Sequence, residues 1–218
     1  IMAMITQAFR YAYEPFVFSK SNDRDSRETY ALAMKYFIIF TLLAFLAVIA
    51  YLDILKYLIA PDYWSGLQVV AIVMVAEIMM GIYFNLSFWY KLIDKTMWGA
   101  LFSGIGCAVL IAVNVLFIPT CGYMACAWAG FAGYATAMTL SYFVGQRYYP
   151  IPYPLKSMAV YVAIAVLFFA AMQCGAQYVD SLWLRLALNT VCVGLFVGHI
   201  VYHDFPLSNL PVVGNYFK

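Results

Sequence analysis

The chain has 218 residues, 66% of them hydrophobic and 10% charged, with a mean hydropathy of +0.86. An ordinary soluble domain carries about 25% charged residues, so this composition excludes a soluble globular protein and identifies an all-α polytopic membrane protein. The net charge of +2, spread over scattered basic residues, lacks the clustered footprint of a nucleic-acid binder.

A membrane-crossing helix needs about 20 mostly apolar residues. In chain order, that rule predicts a truncated first span over residues 1–18, then full spans over 32–52, 67–89, 97–117, 123–144, 157–178 and 182–202. This makes a bundle of about seven transmembrane helices. The chain opens on Ile1 inside an apolar run, with no basic start or small-residue cleavage site of a secretory signal. It reads as a fragment whose N-terminal part lies elsewhere. The linker over 19–29 (SKSNDRDSRET) is polar and solvated, and those over 53–66, 90–96, 118–122 and 179–181 are short. Pro150, Pro152 and Pro154 stiffen the linker over 145–156. Two domains are expected: a bundle over 1–144, and a C-terminal pair of helices with a tail over 145–218.

Lys and Arg concentrate in cytoplasmic loops of membrane proteins. Lys20, Arg24, Arg27, Lys35, Lys91, Lys95, Arg147, Lys156 and Lys218 fall on one side of the alternating loops, and only Lys56 and Arg185 on the other. That bias places the C-terminus in the cytoplasm. Tyr63, Trp64, Trp89, Tyr90, Tyr148 and Tyr149 stand at span ends, as interfacial belts do. Two stripes of small residues, Ala100, Gly104, Ala108, Ala112 and Ala125, Ala129, Gly133, Ala137, predict close packing of consecutive helices. Gly194 and Gly198 form a further GxxxG, and the five cysteines, none in a CxxC, read as small packing residues.

Charge inside a span is expensive. A charged side chain at mid-bilayer costs at least about 2.5–3.5 kcal/mol, and such residues mark functional sites by default. Arg10 and Glu14 are four residues apart in the first span, on one helix face. Arg10 lies nine residues, about 13 Å at helical rise, from Ser19, so it is deep in the helix. It cannot shed its charge, and must find an anion, water or ligand. Glu77 sits mid-span, with Asn85 two turns on and Tyr83 between them. Asn114 stands near the far end of its helix; its bland reading is a helix–helix hydrogen bond. Lys91 and Lys95 flank the cytoplasmic mouth, where ordinary positive-inside charge is the simpler reading. His199 and His203 are spaced as a metal pair but have only Asp204 nearby, so no metal site is expected. No Ser-His-Asp set or phosphate-cradling glycine loop stands out, and no enzyme activity is expected.

Several segments together resemble the polysaccharide-exporting flippases of the MOP superfamily. These are QAFRYAYEPF (7–16), NDRDSRETYALAMKY (22–36), GIYFNLSFWYKLIDKTMWGA (81–100), NVLFIPTCGYMACAWAGFAGY (114–134) and GQRYYPIPYPLK (145–156). The likeness covers nearly the whole chain and is closest to Bacteroidetes-type lipopolysaccharide or capsule exporters. It implies the second lobe of a MATE-like, two-lobe transporter, with the first lobe as its missing partner and two additional C-terminal helices. It also implies a bacterial inner-membrane location and the flipping of undecaprenyl-pyrophosphate-linked oligosaccharide for O-antigen, capsule or exopolysaccharide synthesis.

On that reading Arg10, Glu14, Glu77, Tyr83, Asn85 and Asn114 line the substrate cavity. Arg10 meets the pyrophosphate, since guanidinium matches phosphate oxygens in a fork geometry. Glu14 holds Arg10 in the empty state, and Asn85, Tyr83 and Asn114 serve the sugar hydroxyls. Glu77 is the candidate carboxylate for a coupling proton or sodium ion, and Lys91 and Lys95 attract anionic membrane lipids. No cofactor is expected. A multidrug or cation antiporter of the same superfamily is the first alternative, disfavoured by Arg10. A membrane-embedded enzyme acting on lipid-linked sugars is the alternative of another class.

Overall fold

The computed structural model describes residues 1–20, 25–179 and 181–204, and every regular element among them is helical. Arg24, Lys218 and the C-terminal tail from 205, all used above for orientation, lie outside the described residues. So do residues 21–24 of the first linker and residue 180.

The helices are α1 (Met2–Lys20), α2 (Ser26–Ala50), α3 (Leu52–Leu55), α4 (Val70–Leu86), α5 (Phe88–Leu92), α6 (Met97–Cys121), α7 (Tyr123–Tyr148), α8 (Leu155–Tyr178) and α9 (Leu182–His203). Tighter 3-10 turns, Lys56–Leu58 and Pro61–Val69, occupy most of the linker expected over 53–66. Five stretches are long and apolar enough to cross a membrane: Ser26–Ala50, Pro61–Leu92, Met97–Cys121, Leu155–Tyr178 and Leu182–His203. Without water, a lipid-embedded backbone must satisfy its own hydrogen bonds, and a helix does so within one segment. These helices fit a multi-pass membrane protein.

The expected first and fifth spans, α1 and α7, fall outside that set. For α7 the reason is visible in its packing. Ala125, Ala129, Gly133, Ala137, Ser141 and Gly145 are buried at four-residue intervals, and the helix packs against both α4 and α6. A helix lined by protein can trade apolar bulk for close approach.

The chain divides into two compact units. The first comprises Ile1–Thr41 and Asp62–Leu155. Here α1 and α2 are antiparallel: Phe9 meets Phe37 at 4.7 Å between ring centroids, and Tyr30 donates from its hydroxyl to the Val17 carbonyl at 2.9 Å. α6 and α7 form a second antiparallel pair. A Cβ added at Gly133 would lie 2.8 Å from the Gly106 carbonyl oxygen, and one at Gly106 would lie 2.9 Å from that of Gly133. The two backbones therefore touch there. Pro119, expected in a loop, lies inside α6; the reversal falls on Gly122 alone, at φ 56°, which glycine adopts without steric cost.

The packing of the small stripes is only half as expected. On α7 the stripe is buried, but on α6 Ala100, Gly104, Ala108 and Ala112 are exposed, and Gly99, Phe102 and Gly106 are buried instead. Both faces carry small residues, and the position of α7 selects the one with Gly106. Trp89 and Tyr90, expected as interfacial aromatics, are core residues at 2% and 7% exposure. Trp89 donates from Nε1 to Ser141 Oγ at 3.3 Å and lies over Gly145, where a Cβ would come within 2.7 Å of that nitrogen. The proline-rich linker packs too: Ile151 is buried with Tyr13, Val17, Tyr30, Ala31 and Phe88.

The second unit comprises Leu42–Pro61 and Lys156–Lys218. Phe45 meets Phe169 at 5.5 Å. α9 buries Leu186, Asn189, Cys192, Phe196 and Ile200. Gly194 and Gly198 are exposed with open space around them, so that GxxxG makes no interface among the described residues. The cysteines are likewise not packing residues as expected: only Cys192 is buried, and the other four are exposed.

Candidate functional site

The charged residues of the first unit converge on one carboxylate. α1 runs parallel to α4 and α5, so that Arg10 lies against Phe84, Tyr13 against Phe88 and Glu14 against Lys91. Lys91 Nζ donates to Glu14 Oε1 at 2.6 Å across 77 residues of sequence. Arg10 Nε stands 3.9 Å from Glu14 Oε2, beyond hydrogen-bonding reach. The expected Arg10–Glu14 pair is present, yet the closer partner of Glu14 is Lys91, expected at the mouth and apart from the pair.

Arg10 is held mainly through its face, with Cζ 4.4 Å from the Phe84 ring centroid. Its terminal guanidinium nitrogens have no hydrogen-bond partner among the described residues. The side chains of Arg10, Glu14 and Lys91 are 36%, 33% and 26% exposed. With water present, such a pair contributes only about 0.2–1 kcal/mol. Facing lipid, each charge would carry about 2.5–3.5 kcal/mol of insertion cost. The partial exposure of all three side chains suits a surface that meets water or a polar ligand. Two cations on one carboxylate leave a local excess of one positive charge.

The flanking groups are polar and incompletely satisfied. Thr6, one turn before Arg10, is 2% exposed, and its Oγ1 has no hydrogen-bond partner among the described residues. Asn85 is 7% exposed and donates from Nδ2 to the Gly81 carbonyl at 3.1 Å, while its Oδ1 has no partner. Most buried polar atoms are hydrogen-bonded, so these two mark a place where water or a ligand belongs.

The other expected site residues are distributed differently. The Tyr83 hydroxyl is engaged by α6, donating to the Gly99 carbonyl at 3.2 Å and pairing with Ser103 Oγ at 2.8 Å; this bond serves packing. Glu77 is half-buried on α4. Asn114 is half-buried on α6, its Oδ1 without a partner. Lys95 does not join Lys91: its Nζ stands 4.5 Å over the Tyr148 ring.

Sequence reasoning missed a second cluster, in the second unit. Arg185 Nη2 lies 2.7 Å from Asp53 Oδ2, and Lys56 Nζ lies 3.6 Å from Asp53 Oδ1. Asn189 donates from Nδ2 to the Ala50 carbonyl at 3.0 Å, and the Tyr51 and Thr190 hydroxyls pair at 3.1 Å. The spacing of Asp53 and Lys56 was visible, but nothing in sequence marks a partner more than 130 residues away. Also in this unit, Tyr161 donates to Asp204, and the rings of His199 and His203 lie 4.6 Å apart.

Comparison with family models, curated proteins and solved structures finds no match.

Proposed function

We propose that this chain is a membrane-embedded part of a lipid-linked oligosaccharide flippase of the polysaccharide-exporting MOP type. It would act at the bacterial inner membrane, as a second lobe whose spans include α1 and α7 and whose C-terminus is cytoplasmic. The observation that carries the proposal is the Arg10–Glu14–Lys91 cluster. Its one-charge excess and the guanidinium fork left without a hydrogen-bond partner suit a dianionic pyrophosphate head. The sequence segments resembling exporters of this type add independent support.

In this reading the head group draws on Arg10, with Lys91 holding Glu14, while the prenyl tail remains in lipid. The unpartnered Oδ1 atoms of Asn85 and Asn114 accept hydrogen bonds from sugar hydroxyls that enter beside them. Glu77 serves as the ion-coupling carboxylate. The chain performs no covalent chemistry, and its energy source is a proton or sodium gradient.

The test is Arg10→Ala in the protein as its host encodes it. Surface glycan should disappear while the protein accumulates normally in the membrane. Unchanged glycan export at normal protein level would remove Arg10 from the mechanism and, with it, the basis of this proposal.

A further inference from the structure

Glu14 has two cations within reach and forms a hydrogen bond with only one of them. At 2.6 Å the Lys91 contact is a charge-assisted hydrogen bond, whereas the Arg10 contact at 3.9 Å is Coulombic only. The choice matters because of what Arg10 would otherwise do. Arg10 and Glu14 are four residues apart on one helix face, where guanidinium and carboxylate can pair through a bidentate fork. A closed fork would occupy the donors that an oxyanion needs. In the structure that fork is not closed. Lys91, in the last turn of α5, draws the carboxylate toward itself, and Phe84 supports the guanidinium from its face at 4.4 Å. The terminal nitrogens of Arg10 then remain without a hydrogen-bond partner among the described residues.

We propose that Lys91 is a positioning residue. By capturing Glu14 it keeps Arg10 open for a diphosphate oxyanion, and without it Glu14 closes onto Arg10 and occupies the site. This inference rests on the flippase reading for its ligand but has a separate test. The shared chemistry is a diphosphate, either as a prenyl-linked head group or as the free ion.

The experiment titrates inorganic pyrophosphate, and in a parallel arm a micellar prenyl diphosphate, into the purified chain in detergent, followed by calorimetry. The proteins are wild type, Lys91→Met, Glu14→Gln and the double variant. Simple electrostatics predicts that Glu14→Gln tightens binding by the same factor in either background. Capture predicts coupling: about threefold tightening with Lys91 present and about thirtyfold in the Lys91→Met background, a tenfold difference within the range of interacting pairs. Lys91→Arg, which keeps a cation for Glu14, should return the factor toward threefold. If Lys91→Met does not fold, Lys91→Gln provides the same neutral background.

Equal factors in the two backgrounds would overturn the capture role, as would the absence of pyrophosphate binding to the wild type at millimolar concentration. Tighter binding in the prenyl arm identifies a lipid head group and equal binding a soluble ion; coupling in either arm supports the capture role. If coupling appears but lipid-linked oligosaccharide is not translocated, the flippase reading fails and the role of Lys91 stands.

Discussion

Each compact unit contains one carboxylate flanked by one arginine and one lysine, and the two sets are wired in opposite ways. In the first, the lysine is the near partner: Lys91 stands 2.6 Å from Glu14, and the arginine from the carboxylate's own helix is 3.9 Å away. In the second, the arginine is the near partner: Arg185 stands 2.7 Å from Asp53, and the lysine from the carboxylate's own segment is 3.6 Å away. In both, the partner distant in sequence wins over the local one. What differs is whether the guanidinium is occupied. Arg185 ties α9 to Asp53 of α3 through Nη2, beside the Asn189–Ala50 and Tyr51–Thr190 bonds. Arg10 is left open. A carboxylate, an arginine and a lysine thus make a fastening in one unit and a candidate anion site in the other, and the identity of the near cation separates the two.

That contrast can be broken most directly by exchanging the two arginines for alanine. Arg10→Ala should lower glycan export at least about tenfold, the scale of one lost hydrogen bond between charged groups. Arg185→Ala should leave export per folded molecule near wild type. Comparable export losses, normalised to folded protein, would erase the distinction. The next effect is on stability. Asp53→Ala should destabilise the chain by about 2 kcal/mol, because it strips a partly buried guanidinium of its charged partner; thermal unfolding in detergent measures this. Arg10→Ala, whose pair is more exposed, should cost less than about 1 kcal/mol in the same assay. A larger cost for Arg10 than for Asp53 would reverse the assignment of fastening and site. Asn189→Ala should cost about 1 kcal/mol, the net value of its bond to the Ala50 carbonyl. Smallest, at about 0.5 kcal/mol, should be Tyr51→Phe, which removes only a hydroxyl pair. Destabilisation by Tyr51→Phe exceeding that of Asp53→Ala would show that the ion pair is not the main tie.

Much of the site was legible as residues, and little of it as an arrangement. Arg10 and Glu14 stood out because charge is costly in an apolar run and because four-residue spacing fixes a shared helix face. Lys91 carried no such signal, since a lysine after a span is ordinary positive-inside charge. Its role depends on α1 running parallel to α4 and α5, which no local pattern encodes. Trp89 and Tyr90 illustrate the same limit. An aromatic at the end of an apolar run fits an interfacial belt, but here Gly145 leaves room for the indole, and both residues are buried. Thr6 gave no signal at all, because a threonine in a helix commonly bonds its own backbone; only its buried, unpartnered oxygen distinguishes it.

From the sequence alone follow the helical membrane class, the reversal near Gly122, and the presence of charge that is costly to expose to lipid. These rest on hydropathy, backbone geometry and the cost of desolvation, which act residue by residue. Tertiary structure alone decided which small-residue row of α6 meets α7, which aromatics became core, and which cation holds Glu14. Those outcomes turn on a few tenths of an ångström between surfaces brought together by the whole chain. At Gly106 and Gly133 two backbones touch because neither residue has a side chain. At Glu14 a neighbouring helix end delivers Lys91, and the nearby Arg10 stays open.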